Sequence, residues 1–145
     1  MGVNDFLKQY KTNFKDNINL LDEKEHFVFL IEQDYEQENN AELKRIKRLL
    51  TYSVYVELIG FLLYNSLELE DCKSAGQVFK KVNHPYLEGV DHKIRNSFQH
   101  LDFKLDKEFY CKTKEGFRKV SEEEIVVKLE EIKIKYEELK KRLAF

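Results

Sequence analysis

The chain reads as an all-α protein, an antiparallel bundle of about five to six helices with a small β-hairpin or extended insert before the last helix. Three observations carry this. One proline and five glycines in 145 residues leave little material for the many turns of a sheet protein. Apolar residues recur at three- and four-residue spacings over most of the chain. One short segment near residue 110 changes to a spacing of two.

The elements follow in order. Residues 3–18 place Val3, Phe6, Leu7, Tyr10, Phe14 and Ile18 on one helical face. A second helix starts near Asp22, runs through Phe27, Leu30, Ile31 and Tyr35, and fades in the polar stretch at 36–40. A long third helix runs from Ala41 to about Leu69 and contains the most apolar run of the chain, Val54 to Tyr64. Gly60 inside that run costs about 1 kcal/mol relative to alanine, which a close helix–helix approach would explain. A short helix is expected at 73–82. His84-Pro85 then opens a helix over roughly 85–101, proline being favoured at a helix start. Phe103, Leu105, Phe109 and Cys111 alternate, with turns expected at Asp106-Lys107 and Glu115-Gly116. Ser121 and Glu124 form a capping box. The helix they launch carries Ile125, Leu129, Ile132, Tyr136, Leu139 and Leu143, a single heptad seam. No repeat or linker divides the chain, so residues 1–145 are read as one domain.

Composition narrows the function. A net charge of −2 and a pI of about 6.1 make the whole protein no electrostatic magnet for nucleic acid, so polyanion binding would need a local patch. Cys72 and Cys111 lie far apart in no metal-type spacing, which fits a reducing, cytoplasmic setting. No signal-peptide pattern occupies the first twenty residues, and Phe6 stands where a myristoylation motif wants Ser or Thr. The apolar run at 54–64 contains Glu57 and is too short to span a bilayer, so no membrane partner is expected.

Chemistry concentrates in Asp91-His92-Lys93-Ile94-Arg95-Asn96-Ser97-Phe98-Gln99-His100-Leu101-Asp102-Phe103. On a helix Asn96 and His100 are i, i+4 neighbours, whereas Arg95 is rotated from His100 by about 140°. Arginine and histidine therefore flank the stripe of Ile94, Phe98 and Leu101, and can line a groove against a second surface.

The residues Arg95-Asn96-x-x-x-His100 resemble the signature of HEPN domains, an arginine followed by four to six residues and a histidine. The position of the motif, on a late helix of an all-α domain, agrees with this. The resemblance implies metal-independent RNA cleavage of a toxin or antiviral-defence type, with no cofactor. Some family members are non-catalytic and bind nucleotide, RNA or a protein partner, which is the alternative reading. For cleavage Arg95 would hold the phosphate through a bidentate fork, His100 would transfer protons, and Asn96 would orient. One chain supplies one such histidine for two proton transfers. A homodimer sharing a cleft removes that shortage, and the resemblance implies such dimers and a neutralising antitoxin partner.

Rival readings of the same residues are structural. Arg95 can bridge Asp91 at i, i+4, and His100 can end its helix favourably for the dipole. Lys44, Arg45, Lys47 and Arg48 form a basic run on the third helix. Such a run is usually a solvated face, though with Lys93 it can also contact RNA. His26, His84 and His92 make no metal-type set. A groove-lining role beside His100 is open for His84. A heptad seam such as that of the last helix is more often intramolecular core than a partner site.

Overall fold

The computed structural model describes residues 21–70, 72, 75–82, 84–99, 103–106 and 108–143. Its order is α1 (Leu21–Glu36), α2 (Ala41–Ser66), α3 (Ala75–Lys81), a 3-10 turn (His84–Tyr86), α4 (His92–Gln99), β1 (Phe103–Asp106), β2 (Glu108–Thr113), β3 (Gly116–Val120) and α5 (Glu122–Arg142). The protein is mainly helical with one small antiparallel sheet. The helix expected at 3–18 lies outside the described residues.

Polar punctuation sets the bounds of α2. Asn40 Oδ1 accepts the Leu43 N–H at 3.0 Å, capping the start. Glu68, at φ +50°, turns the chain just past the end. Between these points Leu49, Tyr52, Val56, Leu58, Ile59, Leu62 and Leu63 are buried on all sides of the helix. They can be, because α1, α3, α4 and α5 each pack against it. At the other end of the chain Ser121 Oγ accepts the Glu124 N–H at 3.1 Å and opens α5. The expected seam faces inward: Ile125, Leu129, Ile132, Tyr136 and Leu139 are buried, and α5 lies along α2.

The insert is wider than a hairpin. Three strands pair in the order β1-β2-β3, all antiparallel, with Phe103 opposite Cys111 and Phe109 opposite Val120. The tight β2–β3 turn at Lys114-Glu115 closes on Gly116, whose φ of +134° an L side chain rarely adopts. Pairing with β1 ends at Cys111, and the next N–H, on Lys112, is taken by Ser97 Oγ at 2.9 Å. Ser97 thus docks α4 on the edge of the central strand.

The helix expected over 85–101 begins later, at His92. Pro85 lies in the 3-10 turn, Gly89 takes φ +85°, and Asp91 caps the new helix by accepting the Lys93 and Ile94 N–H groups at 3.1 and 3.2 Å. An aspartate cap after a left-handed glycine is a stronger start signal here than the proline. No helix of the described residues is long and apolar enough to cross a membrane.

Candidate active site

Glu57 is the one acidic residue in the apolar run of α2, and its partner is Arg95. Arg95 Nε donates to Glu57 Oε1 at 3.1 Å, and Nη2 donates to the same oxygen. The pair is nearly dry, with side chains 8% and 6% exposed for Arg95 and Glu57. Arg95 Nη1 turns the other way and donates to Asn96 Oδ1 at 2.8 Å. Those three bonds use three of the five guanidinium N–H groups. Since Asn96 is exposed, the Nη1 edge is the side of the group nearest solvent. Glu57 Oε2 is buried without a hydrogen-bond partner among the described residues.

The bridge from Arg95 to Asp91 does not form. Asp91 is occupied as the α4 cap, and its second oxygen contacts Lys128 Nζ on α5 and Arg118 Nη2 on β3, the latter at 3.1 Å. Its backbone N–H also donates to the Tyr52 hydroxyl at 2.7 Å. Burial alone would raise the Asp91 carboxyl. The Lys128 ammonium, the Ile94 N–H and the Arg118 charge more than offset it and hold the carboxyl below its ordinary range. Asp91 therefore ties the start of α4 to α2, β3 and α5, which fixes where Arg95 and Asn96 stand.

His92, on the first turn of α4, is the residue that sequence reasoning set aside. It is three residues from Arg95, so the two share a helix face. Its ring meets Phe79 edge-on, with centroids 4.8 Å apart. Burial depresses its pKa first and the nearby Arg95 charge second, while Asp91 opposes both. The signal for Glu57 was also present in the sequence: a lone carboxylate in a buried run must find a cation.

Of the predicted trio, Arg95 and Asn96 are adjacent and bonded to each other, while His100 lies outside the described residues. Ile94 is buried within the chain and Phe98 packs partly buried on the same core, so both lie on the packed stripe that their spacing implies. Leu101 is outside the described residues. The basic run is largely compensated. Lys47 Nζ lies 2.7 Å from Asp34 and 2.6 Å from Glu38, and Arg48 Nη1 lies 3.3 Å from Glu122. Lys44 and Arg45 are half-buried, whereas Lys93 is exposed. Among the described residues no group of three or more His, Cys, Asp or Glu is placed to hold a metal ion.

Comparison with protein-family models, with curated proteins and with solved structures finds no match to the chain.

Proposed function

We propose that this chain is a HEPN-like antiparallel helical bundle that cleaves RNA as a homodimer, in a toxin or antiviral-defence setting with a neutralising partner. The observation that carries the reading is the setting of Arg95. Burying an ion pair costs several kcal/mol per ion, and apolar residues of similar volume would often stabilise such a core as well or better. A pair kept at that cost, next to a bonded asparagine and on the motif helix, fits a site better than a scaffold. Glu57 holds the guanidinium in one orientation and Asn96 holds its outer edge, so the remaining N–H donors are preorganised for phosphate oxygens.

In the reaction the 2′-hydroxyl loses its proton to a base and its oxygen attacks the adjacent phosphorus. The bond from phosphorus to the 5′-oxygen breaks, and an acid protonates the leaving oxygen. Products are a 2′,3′-cyclic phosphate and a 5′-hydroxyl. His100 serves as base or acid, and the partner copy's His100 supplies the other role. Arg95 stabilises the charge that builds on the phosphorane. The neutralisation of Arg95 by Glu57 favours a second reading, a non-catalytic module of the same fold that binds nucleotide, RNA or protein.

The deciding experiment expresses the wild type beside His100→Ala and follows growth and RNA integrity together. Arrested growth with fragmented RNA in the wild type alone supports cleavage. Intact RNA in both, at equal expression, favours the binding module.

A further inference from the structure

We infer that the outer face of the β-sheet is a second site, a stacking platform for single-stranded nucleic acid. The register defines that face. Phe109, Cys111 and Val120 are buried, so the alternate positions Tyr110, Lys112, Phe117 and Lys119 occupy the opposite side. Tyr110 stands between Lys104 on β1 and Lys119 on β3, and Lys112 stands opposite Phe117. The face therefore interleaves aromatic and lysine positions across all three strands. On β2 and β3 it reaches solvent: Phe117 is 45% exposed, the Lys119 side chain 55%, Lys112 is also exposed and Tyr110 is half-buried.

The alternation of rings and lysines names the occupant. By register the face holds three lysine positions, Lys104, Lys112 and Lys119, in a chain whose net charge is −2. Basic positions outnumber acidic ones on this face, whereas acids outnumber bases over the chain. Two acidic positions share the face, Asp106 and Glu108, which stand opposite each other, and Glu108 lies 3.6 Å from Lys119. A protein partner is a poorer fit, because interface cores are depleted in lysine and this patch has one beside each ring. Single strands suit it, since unpaired bases stack on aromatic rings without sequence preference while lysines follow the backbone. Tyr110 and Phe117 are diagonal neighbours, roughly 7–8 Å apart, within reach of consecutive bases of one extended strand. A duplex hides its base faces and gains only the charge term.

The inference stands apart from cleavage, and its test uses a strand that a 2′-hydroxyl mechanism cannot cut. Fluorescein-labelled oligo(dT) of about 20 nucleotides is titrated with the full chain at low salt, with anisotropy as readout. The wild type should bind it and bind a duplex of equal length at least about tenfold more weakly. Phe117→Ala and Tyr110→Ala together should weaken binding at least about fivefold, the loss expected for base–aromatic stacking. Phe117→Leu keeps apolar bulk without a π face and should weaken binding as well. Lys112→Ala and Lys119→Ala should each reduce the salt slope by about 0.7. Three results would overturn the proposal. One is absence of oligo(dT) binding by the folded wild type. Another is wild-type affinity in the folded aromatic variants. The third is a change of oligomeric state in those variants by light scattering, which would make the face a contact between copies.

Discussion

The Arg95 guanidinium and the Glu57 carboxylate, 38 residues apart in the chain, meet inside the core, where α4 crosses α2. The contact ties the motif helix to the central helix by charge as well as packing. Glu57→Ala should destabilise the protein by about 3–5 kcal/mol, because it strands a buried cation. Glu57→Leu combined with Arg95→Met should recover most of that loss, since both charges leave together. Urea unfolding of the single and double variants checks this. A double variant no more stable than Glu57→Ala would show that the pair is not the source of the loss.

Ser121→Ala should cost about 1 kcal/mol, the usual value of an N-cap side chain. Here the lost bond is the one from the Glu124 N–H. Ser121→Asp should restore it, because aspartate caps as well as serine and suits the positive end of the helix dipole. Thermal unfolding of the three proteins reads both effects.

Much of this fold was legible because periodic burial marks long helices. The apolar run of α2 and the seam of α5 are buried as their patterns imply, Leu58 and Tyr136 among them, and the Ser121 cap is a local signal. The start of α4 was misread because Pro85 signals a helix start locally, whereas Gly89 and Asp91 act through φ and capping at the real one. Glu57 could be recognised as needing a cation, but which cation depends on the crossing of α2 and α4. No short-range pattern encodes that crossing. The same applies to Asp91, whose partners Arg118 and Lys128 come from two later elements.

Acid should lower the stability of the protein in two stages. His92 has a folded-state pKa depressed below 6.5, chiefly by burial and then by Arg95, so its neutral form belongs to the folded state. Its contribution is complete above pH 6.5 and is lost as pH falls through the depressed value, because the unfolded chain takes the proton first. Asp91 is held below 3.8 despite burial, through Lys128, the Ile94 N–H and Arg118, so its contribution is lost further down, as pH falls through its folded value. Urea midpoints followed from neutral pH to about pH 3 should show both losses. His92→Gln should remove the first, and Asp91→Asn the second. Identical pH profiles for wild type and His92→Gln would rule out the imidazole as the source.

Dimerisation follows from the proposed chemistry rather than from an exposed stripe, since Ile94 is already buried in its own chain. Light scattering at micromolar concentration should give about twice the 17.5 kDa of one chain. Mixing wild-type with His100→Ala subunits should lower cleavage more than in proportion, because a mixed cleft keeps only one of the two proton-transfer groups. A monomer at high concentration would remove the shared cleft, and with it the second proton-transfer group.

The proposed mechanism makes its sharpest demand on the nucleophile. Replacing the nucleotide before the cut by its 2′-deoxy form should abolish cleavage while leaving binding intact, because only the attacking oxygen is gone. Arg95→Ala and His100→Ala should each lower the rate by at least about 10²-fold, the scale for losing an electrostatic stabiliser or a general acid–base group. Asn96→Ala should cost less, since Glu57 still holds the guanidinium through Nε and Nη2. Arg95→Lys should fail to rescue, because an ammonium cannot reproduce the fork that spans Glu57 and Asn96. EDTA should leave the rate unchanged if phosphate charge is met by Arg95 and protons move through His100. Circular dichroism must accompany the Arg95 variants, because removing that side chain also leaves Glu57 unpaired in the core. A folded His100→Ala protein that cuts RNA at the wild-type rate would end the catalytic reading. Wild-type RNA binding by the same variant without cleavage in either protein would instead fit the non-catalytic module.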